Sequence, residues 1–299
     1  MYDMVIVGSG PAGLSAAVYA RRALLDAVVV EKEFMGTGQI TVTEQVDNYL
    51  GLPGLSGYDI GDRFRTHAEG LGAQFITAEV LSITKEGDIF KISLSDGTLL
   101  ESKTVVYAAG AVNRVLDVHG TGLAGVSYCA VCDGMFHRGK DVAVAGGGDT
   151  ALEDALYLSK IANKVYLIHR RDEFRANKAL QEQVRAAENI ELVLNANVKE
   201  ILGDGKVSAV KVDQQGKELE FEVSGVFTAI GTIPNTAVLG DLCQLEKGYI
   251  KAGEDGVTSC AGLFAAGDVR TKALRQLITA ASDGANCVFS AEEYLRSLD

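Results

Sequence analysis

Val5-Ile6-Val7-Gly8-Ser9-Gly10-Pro11-Ala12-Gly13 is an apolar, β-branched run that breaks into three spaced glycines. The run Tyr2 to Val7 reads as a strand. Gly8 makes the tight turn after it, Gly10 lets the backbone approach a pyrophosphate, and Gly13 permits close helix–strand packing. A helix over about 11–24 follows, with its N-terminal amides aimed at phosphate. Ala27 to Val30 is a second strand ending at Glu31, 18 residues after Gly13. A carboxylate there accepts bonds from a ribose diol. Strand, glycine triplet, helix, strand and acid in that order specify a dinucleotide-binding unit.

The pattern then repeats. Asp141 to Ala145 reads as a strand and Gly146-Gly147-Gly148-Asp149-Thr150-Ala151 as a second fingerprint. Leu152 to Lys160 reads as a helix and Lys164 to Ile168 as the next strand. His169 falls 18 residues after Ala151, the spacing that separates Gly13 from Glu31. Each fingerprint is followed by strand-like runs, Gln74 to Tyr107 and about Ile190 to Val223, read as β-meanders with a turn at Asp96-Gly97 in the first. The fold class is therefore α/β, with two Rossmann-like dinucleotide-binding domains, each carrying a meander. Tyr58 to Leu71 reads as an amphipathic helix with Ile60, Phe64 and Leu71 on one face and His67 beside it, partly buried. Leu274 to Leu295 reads as a long helix with Arg275 and Gln276 at its start and positions 277, 278, 281, 285, 288 and 289 buried.

The two units differ at the end of the second strand. Glu31 repels a 2′-phosphate, whereas His169-Arg170-Arg171, with Arg175 one turn on, attracts one through charge-assisted guanidinium bonds. The alternative, a solvated basic stretch opening a helix, places cations where the helix dipole disfavours them.

Between the units lies Tyr128-Cys129-Ala130-Val131-Cys132-Asp133-Gly134. Two thiols three positions apart can close and reopen a small disulfide, which carries two electrons. Half a zinc site is the competing reading, but no second Cys-x-x-Cys or paired histidines complete a tetrahedron, so no metal is expected. The fingerprints on either side favour redox chemistry.

Composition bounds the rest. The 299 residues suffice for two domains, and the net charge of −12 argues against nucleic acid as a partner. No run of 18 apolar residues suggests a membrane span. Five cysteines with one close pair, and a strand starting almost at the N-terminus, lead us to expect a cytoplasmic protein with Cys243, Cys260 and Cys287 structural.

Taken together, Gly8 to Gly13, Cys129-Cys132-Asp133, Gly146 to Thr150, His169 to Arg175, Ala229-Ile230-Gly231 through Pro234-Asn235-Thr236, and Ala265 to Val269 resemble the bacterial low-molecular-weight thioredoxin reductases. The resemblance spans essentially the whole chain, and the dithiol placed just before the second fingerprint is its most specific feature. It implies an FAD domain from 1–112 and 241–299, into which an NADPH domain, 113–240, is inserted. FAD would be held by Gly8, Ser9, Gly10, Pro11, Ala12, Gly13, Glu31, Lys32, Gly38, Gln39, Asn48, Ala109, Gly110, Gly267, Asp268, Arg275, Gln276 and Leu277. NADPH would be held by Gly147, Gly148, Asp149, Thr150, His169, Arg170, Arg171 and Arg175. Cys132 would take electrons from the flavin, Cys129 would exchange with the disulfide of thioredoxin or a thioredoxin-like protein, and Asp133 would act as general acid/base. The resemblance also implies a homodimer and a rotation of the NADPH domain. Thr37 departs from the family's usual Gly-Gly-Gln and Leu50 from a common proline; neither removes a group the chemistry requires.

Three other functions stay open at this level. A flavin-dependent dithiol oxidase and a ferredoxin-dependent sibling share the fold, but neither needs the cations at 169 to 175. A redox-sensing nucleotide-binding regulator would lack multiple turnover.

Overall fold

A computed structural model of the chain describes residues 1–34, 36–43 and 45–298. The chain divides into two compact units, Met1–Val112 with Ile233–Asp299, and Asn113–Thr232. The segment 233–240 thus belongs to the first unit, where Leu239 is buried in the core and the Tyr107 hydroxyl donates to the Asn235 carbonyl at 2.6 Å. The crossing segments, 111–113 and 232–234, pair as a two-stranded ribbon.

In the first unit, parallel strands run in the order 74–77, 27–31, 2–7, 99–107. Successive residues of the first strand feed opposite cores. Met4 and Ile6 meet the helices, while Val5 and Val7 meet the antiparallel strands and the C-terminal segment. Such burial on both faces gives the continuous apolar pattern of a covered parallel strand. The strand Leu99–Tyr107 joins the parallel and antiparallel parts of one seven-stranded sheet. Residues 99–102 pair antiparallel with 89–94, and 105–107 pair parallel with 263–265. Its burial changes accordingly, from alternating to continuous.

The first meander is therefore 80–86, 89–94 and 99–107. Gln74–Thr77, expected within it, is instead the parallel edge strand beside 27–31. The second unit has the same arrangement: Ile190–Leu194, expected within its meander, extends the parallel sheet, and 196–204, 206–214 and 217–222 form the antiparallel sheet. Its parallel sheet runs 190–194, 164–169, 141–146, 225–229, 126–127. A four-residue run preceding a turn carries the same period in either pairing, so sequence alone does not separate the two.

Two helices differ in which face they bury. In Gly57–Gly70, capped by the Ser56 hydroxyl on the Asp59 amide, the inner row is Ile60, Phe64 and Ala68, leaving Leu71 and His67 exposed. The last helix, Leu277–Arg296, buries Ala280, Asp283, Gly284, Cys287, Val288 and Ala291, whereas Ile278 and Phe289 face outward, Phe289 at 62% exposure. The cause is close packing on helix Pro11–Arg22. A Cβ on Gly284 would overlap the Ala12 carbonyl, and the Ser15 hydroxyl donates to the Ala281 carbonyl at 2.6 Å. Small residues are selected at such a contact, so hydrophobicity alone is a misleading guide to burial there.

Candidate functional site

In the first unit, Gly8 has φ +97°, and a Cβ there would lie 2.6 Å from the Ala108 carbonyl oxygen. Only glycine fits this backbone and this approach. A Cβ on Gly13 would overlap the Gly8 carbonyl oxygen. Helix Pro11–Arg22 starts at Gly10 with no side-chain cap, so its first amides are free for an anion. Glu31 closes the loop: its Oε2 accepts from the Ser9 amide at 2.9 Å and the Ser9 hydroxyl at 2.8 Å, and Oε1 from the Glu33 amide at 3.2 Å. Gly38 lies against Gly10, and the Gln39 side-chain amide donates to the Ala111 carbonyl. Thr37, the departure noted above, is buried against Gly61, whose missing side chain makes room for it. Leu50 lies on an exposed turn, and Lys32 is exposed.

The C-terminal segment supplies further polar groups of the same unit. Asn48 donates to the Gln276 side chain at 3.0 Å, and Asn235 to the Ala109 carbonyl at 2.8 Å, beside Gly110. Gln276 caps the last helix through a box with Thr279, so Arg275 and Gln276 precede the helix rather than open it. Leu277 packs against Ile40, Val46 and Ile60. The Arg275 guanidinium stacks 4.4 Å over Tyr249. Two atoms stand out: Asp268 Oδ1 and Arg275 Nε are buried without a protein partner. Burial pushes the Asp268 carboxyl up, against the pull of Lys272 and Arg275. A buried acceptor and a buried donor left open, beside a glycine cradle and an uncapped helix start, fit a polyhydroxylated, phosphate-bearing ligand such as FAD.

In the second unit Cys129 and Cys132 form a disulfide with Cα atoms 5.3 Å apart. Cys129 caps the short helix Ala130–Asp133, its Sγ accepting from the Cys132 amide at 3.2 Å. Ser127, which sequence reasoning missed, organises the turn. Its hydroxyl donates to Asp133 Oδ2 at 2.6 Å and accepts from the Cys129 amide at 3.0 Å. A lone serine two residues before a cysteine carries no signal of its own. The helix is anchored by Ala130 in the core, by Gly134 against Tyr157, Leu158 and Ile161, and by His137. The His137 ring lies edge-on to Phe227 and bonds the Ser224 hydroxyl at 2.9 Å, and burial lowers its pKa. Val131, Met135 and Phe136 around the disulfide are exposed.

The second fingerprint lies in the same unit. Helix Asp149–Ser159 starts at Gly148 without a side-chain cap. Asp149 Oδ1 accepts from the amide and side chain of Asn177, at 2.8 and 3.1 Å, and Thr150 is exposed. His169 is only 5% exposed: its ring stacks on Phe174, bonds the Glu173 carbonyl and fills the space a Gly147 side chain would need. It braces the loop, and burial holds its pKa down. Arg170, Arg171 and Arg175 are exposed on the loop before helix Lys178–Ala186, with the Arg175 amide bonded to the Gly147 carbonyl at 2.8 Å. The cations therefore lie on a loop tied to the fingerprint, with Arg175 two residues before the Asn177 cap of the next helix. Among the described residues no helix is long and apolar enough to cross a membrane.

The chain is similar to known proteins along its whole length. Residues 2–284 match the family described as pyridine nucleotide-disulphide oxidoreductase. A thioredoxin reductase of Mycolicibacterium smegmatis is 41% identical, with 100% of this chain and 98% of that protein covered. One from Listeria innocua is 38% identical, covering 100% and 95%. The crystal structure of thioredoxin reductase from Streptococcus pyogenes superposes with a TM-score of 0.94 at 40% identity, covering 99% of each chain.

Proposed function

Because this chain belongs to the pyridine nucleotide-disulphide oxidoreductase family, and within it to the thioredoxin reductases, we propose that it uses NADPH and FAD to reduce the disulfide of thioredoxin or a thioredoxin-like protein. The observation that carries this reading is the Cys129–Cys132 disulfide in the unit that also bears the second fingerprint and its exposed arginines.

When bound, the nicotinamide and flavin supply the two electrons that open the disulfide. Gly8 to Gly13, Asp268, Arg275 and Gln276 would hold FAD; Gly147, Gly148, Arg170, Arg171 and Arg175 would hold NADPH. The Cys129 thiolate then attacks the partner's disulfide, and Asp133, fixed by Ser127, gives a proton to the departing thiolate. Cys132 attacks Sγ of Cys129 in the mixed disulfide, releasing the second partner thiol and restoring Cys129–Cys132.

Nicotinamide site and disulfide share one unit, yet both must serve a flavin held by the other. A rotation about the paired segments 111–113 and 232–234 meets that demand. A cross-link fixing the two units should stop turnover while sparing one half-reaction. We further read the chain as a cytoplasmic homodimer, in keeping with the exposed Ile278 and Phe289 on the last helix.

The decisive experiment is anaerobic flavin reduction with NADPH, NADH and reduced ferredoxin in parallel, followed by multiple turnover with oxidised thioredoxin. Selective reduction by NADPH with turnover is expected. Reduction by ferredoxin alone, electron flow from a dithiol to oxygen, or no turnover would each overturn the reading.

A further inference from the structure

Four donors converge on Asp283, a residue of the last helix that is 4% exposed. Its Oδ2 accepts from the Gly267 amide at 2.8 Å, Arg270 Nε at 2.9 Å and Lys272 Nζ at 2.9 Å, and its Oδ1 from Arg270 Nη2 at 2.6 Å. All four come from the stretch Gly267 to Lys272, which contains Asp268. The Lys272 side chain is as buried as its partner, at 6% exposure. Burial works against the charged form of Asp283, but the bonds from Arg270 and Lys272 outweigh it and keep the carboxyl below its ordinary range.

Asp268, one residue from the captured Gly267 amide, has the opposite character. Its Oδ1 is buried with no partner, although Lys272 and Arg275 are close enough to act on it electrostatically. A buried, unpartnered carboxylate oxygen draws any cation within reach. Lys272 has two carboxyls to choose from and is bonded to Asp283.

We propose that Asp283 is a positioning residue of the flavin site: by engaging the Gly267 amide, Arg270 and Lys272 together, it keeps Lys272 off Asp268 and leaves Asp268 Oδ1 open to the cofactor's hydroxyls. This inference rests on the FAD reading above. Two features set Asp283 apart from a mere staple. It fixes the backbone on the N-terminal side of Asp268, and it absorbs the cation that would otherwise occupy the acceptor.

The test is FAD titration of the full-length apoprotein by flavin fluorescence, with circular dichroism to verify folding. Asp283→Asn keeps the shape and removes the charge, so Lys272 should turn to Asp268 and FAD should bind on the order of ten- to a hundred-fold more weakly, the worth of one charge-assisted bond. Adding Lys272→Met to Asp283→Asn should restore most of the affinity, because the competing cation is gone. A purely structural role predicts the reverse, a double variant worse than the single. Lys272→Met alone should bind FAD as the wild type does, a result that stands even if Asp283→Asn fails to fold. Wild-type affinity in Asp283→Asn, no recovery in the double variant, or weakened binding in Lys272→Met would each overturn the proposal. Failure of the wild type to bind FAD would instead overturn the cofactor reading itself.

Discussion

Replacing Arg170 and Arg171 together by glutamine tests the assignment of the second fingerprint. Both side chains are exposed on the loop after strand Lys164–His169, so removing them should leave the fold intact, within about 0.5 kcal/mol. A shielded charge-assisted bond to phosphate is worth about 1.5–3 kcal/mol. Solvent screening at this exposure brings each to roughly 0.5–1 kcal/mol. The pair then contributes about 1–2 kcal/mol, equivalent to a roughly 5- to 30-fold change in Kd. NADPH binding should weaken by that factor, while NADH binding, which lacks the 2′-phosphate, should scarcely change. The wild-type preference should also shrink as salt rises, because exposed charges are screened over about 10 Å at 0.1 M. Calorimetric titration of both proteins with both nucleotides measures all of this. Equal losses for NADPH and NADH, or a wild type indifferent between them, would refute the reasoning.

Three further outcomes are expected. With Cys132→Ser, Cys129 should trap a thioredoxin lacking its resolving cysteine as a stable mixed disulfide on non-reducing gels, and Cys129→Ser should not; reversed behaviour would sink the assignment of roles. His137 and His169 are kept neutral by burial, so the unfolded chain, with histidines near 6.5, takes up protons first as pH falls. Stability should therefore be full above that value and drain below it, by up to about 1.4 kcal/mol per pH unit per histidine; denaturation of His137→Phe at pH 7.5 and 5.5 should show a smaller loss than the wild type, and an equal loss would count against burial as the cause. Burial pushes the Cys243 thiol up to about 11 and Cys287 up to about 12, so at pH 8 both should resist iodoacetamide in the native protein, with mass spectrometry as the readout; rapid labelling of Cys287 would contradict its place in the core.

The frame of the fold was legible because glycine at Gly8 and Gly13 answers a backbone demand that no other residue meets, and such demands survive as fixed spacings. The dithiol was legible for the same reason, being a local pair. What sequence could not supply were the long-range partners. Asp283 lies 15 residues beyond Asp268, and nothing in its neighbours announces that a buried carboxylate there will gather Arg270 and Lys272. Ser127 gains its meaning only when the turn brings Asp133 back to it. The last helix was misread because hydrophobicity ranks phenylalanine above glycine, whereas a helix lying on another at the Gly284–Ala12 contact ranks them by size.

The duplicated units also reveal a division of labour that spacing alone conceals. Sequence assigns the residue ending the second strand, Glu31 in one unit and His169 in the other, to the ligand. In the structure both are turned toward their own glycine loops, Glu31 through the Ser9 amide and hydroxyl, His169 through its ring against Gly147. One position in the architecture therefore braces the glycine loop in each copy, by a charged hydrogen bond in the first and by packing in the second. On the proposed function, selectivity for a 2′-phosphate would then fall to the residues that follow, Arg170 and Arg171, which are exposed. His169 and the arginines are consequently separable. Shortening His169 to alanine should loosen the loop and weaken both nucleotides alike, whereas removing the arginines should weaken only the phosphorylated one.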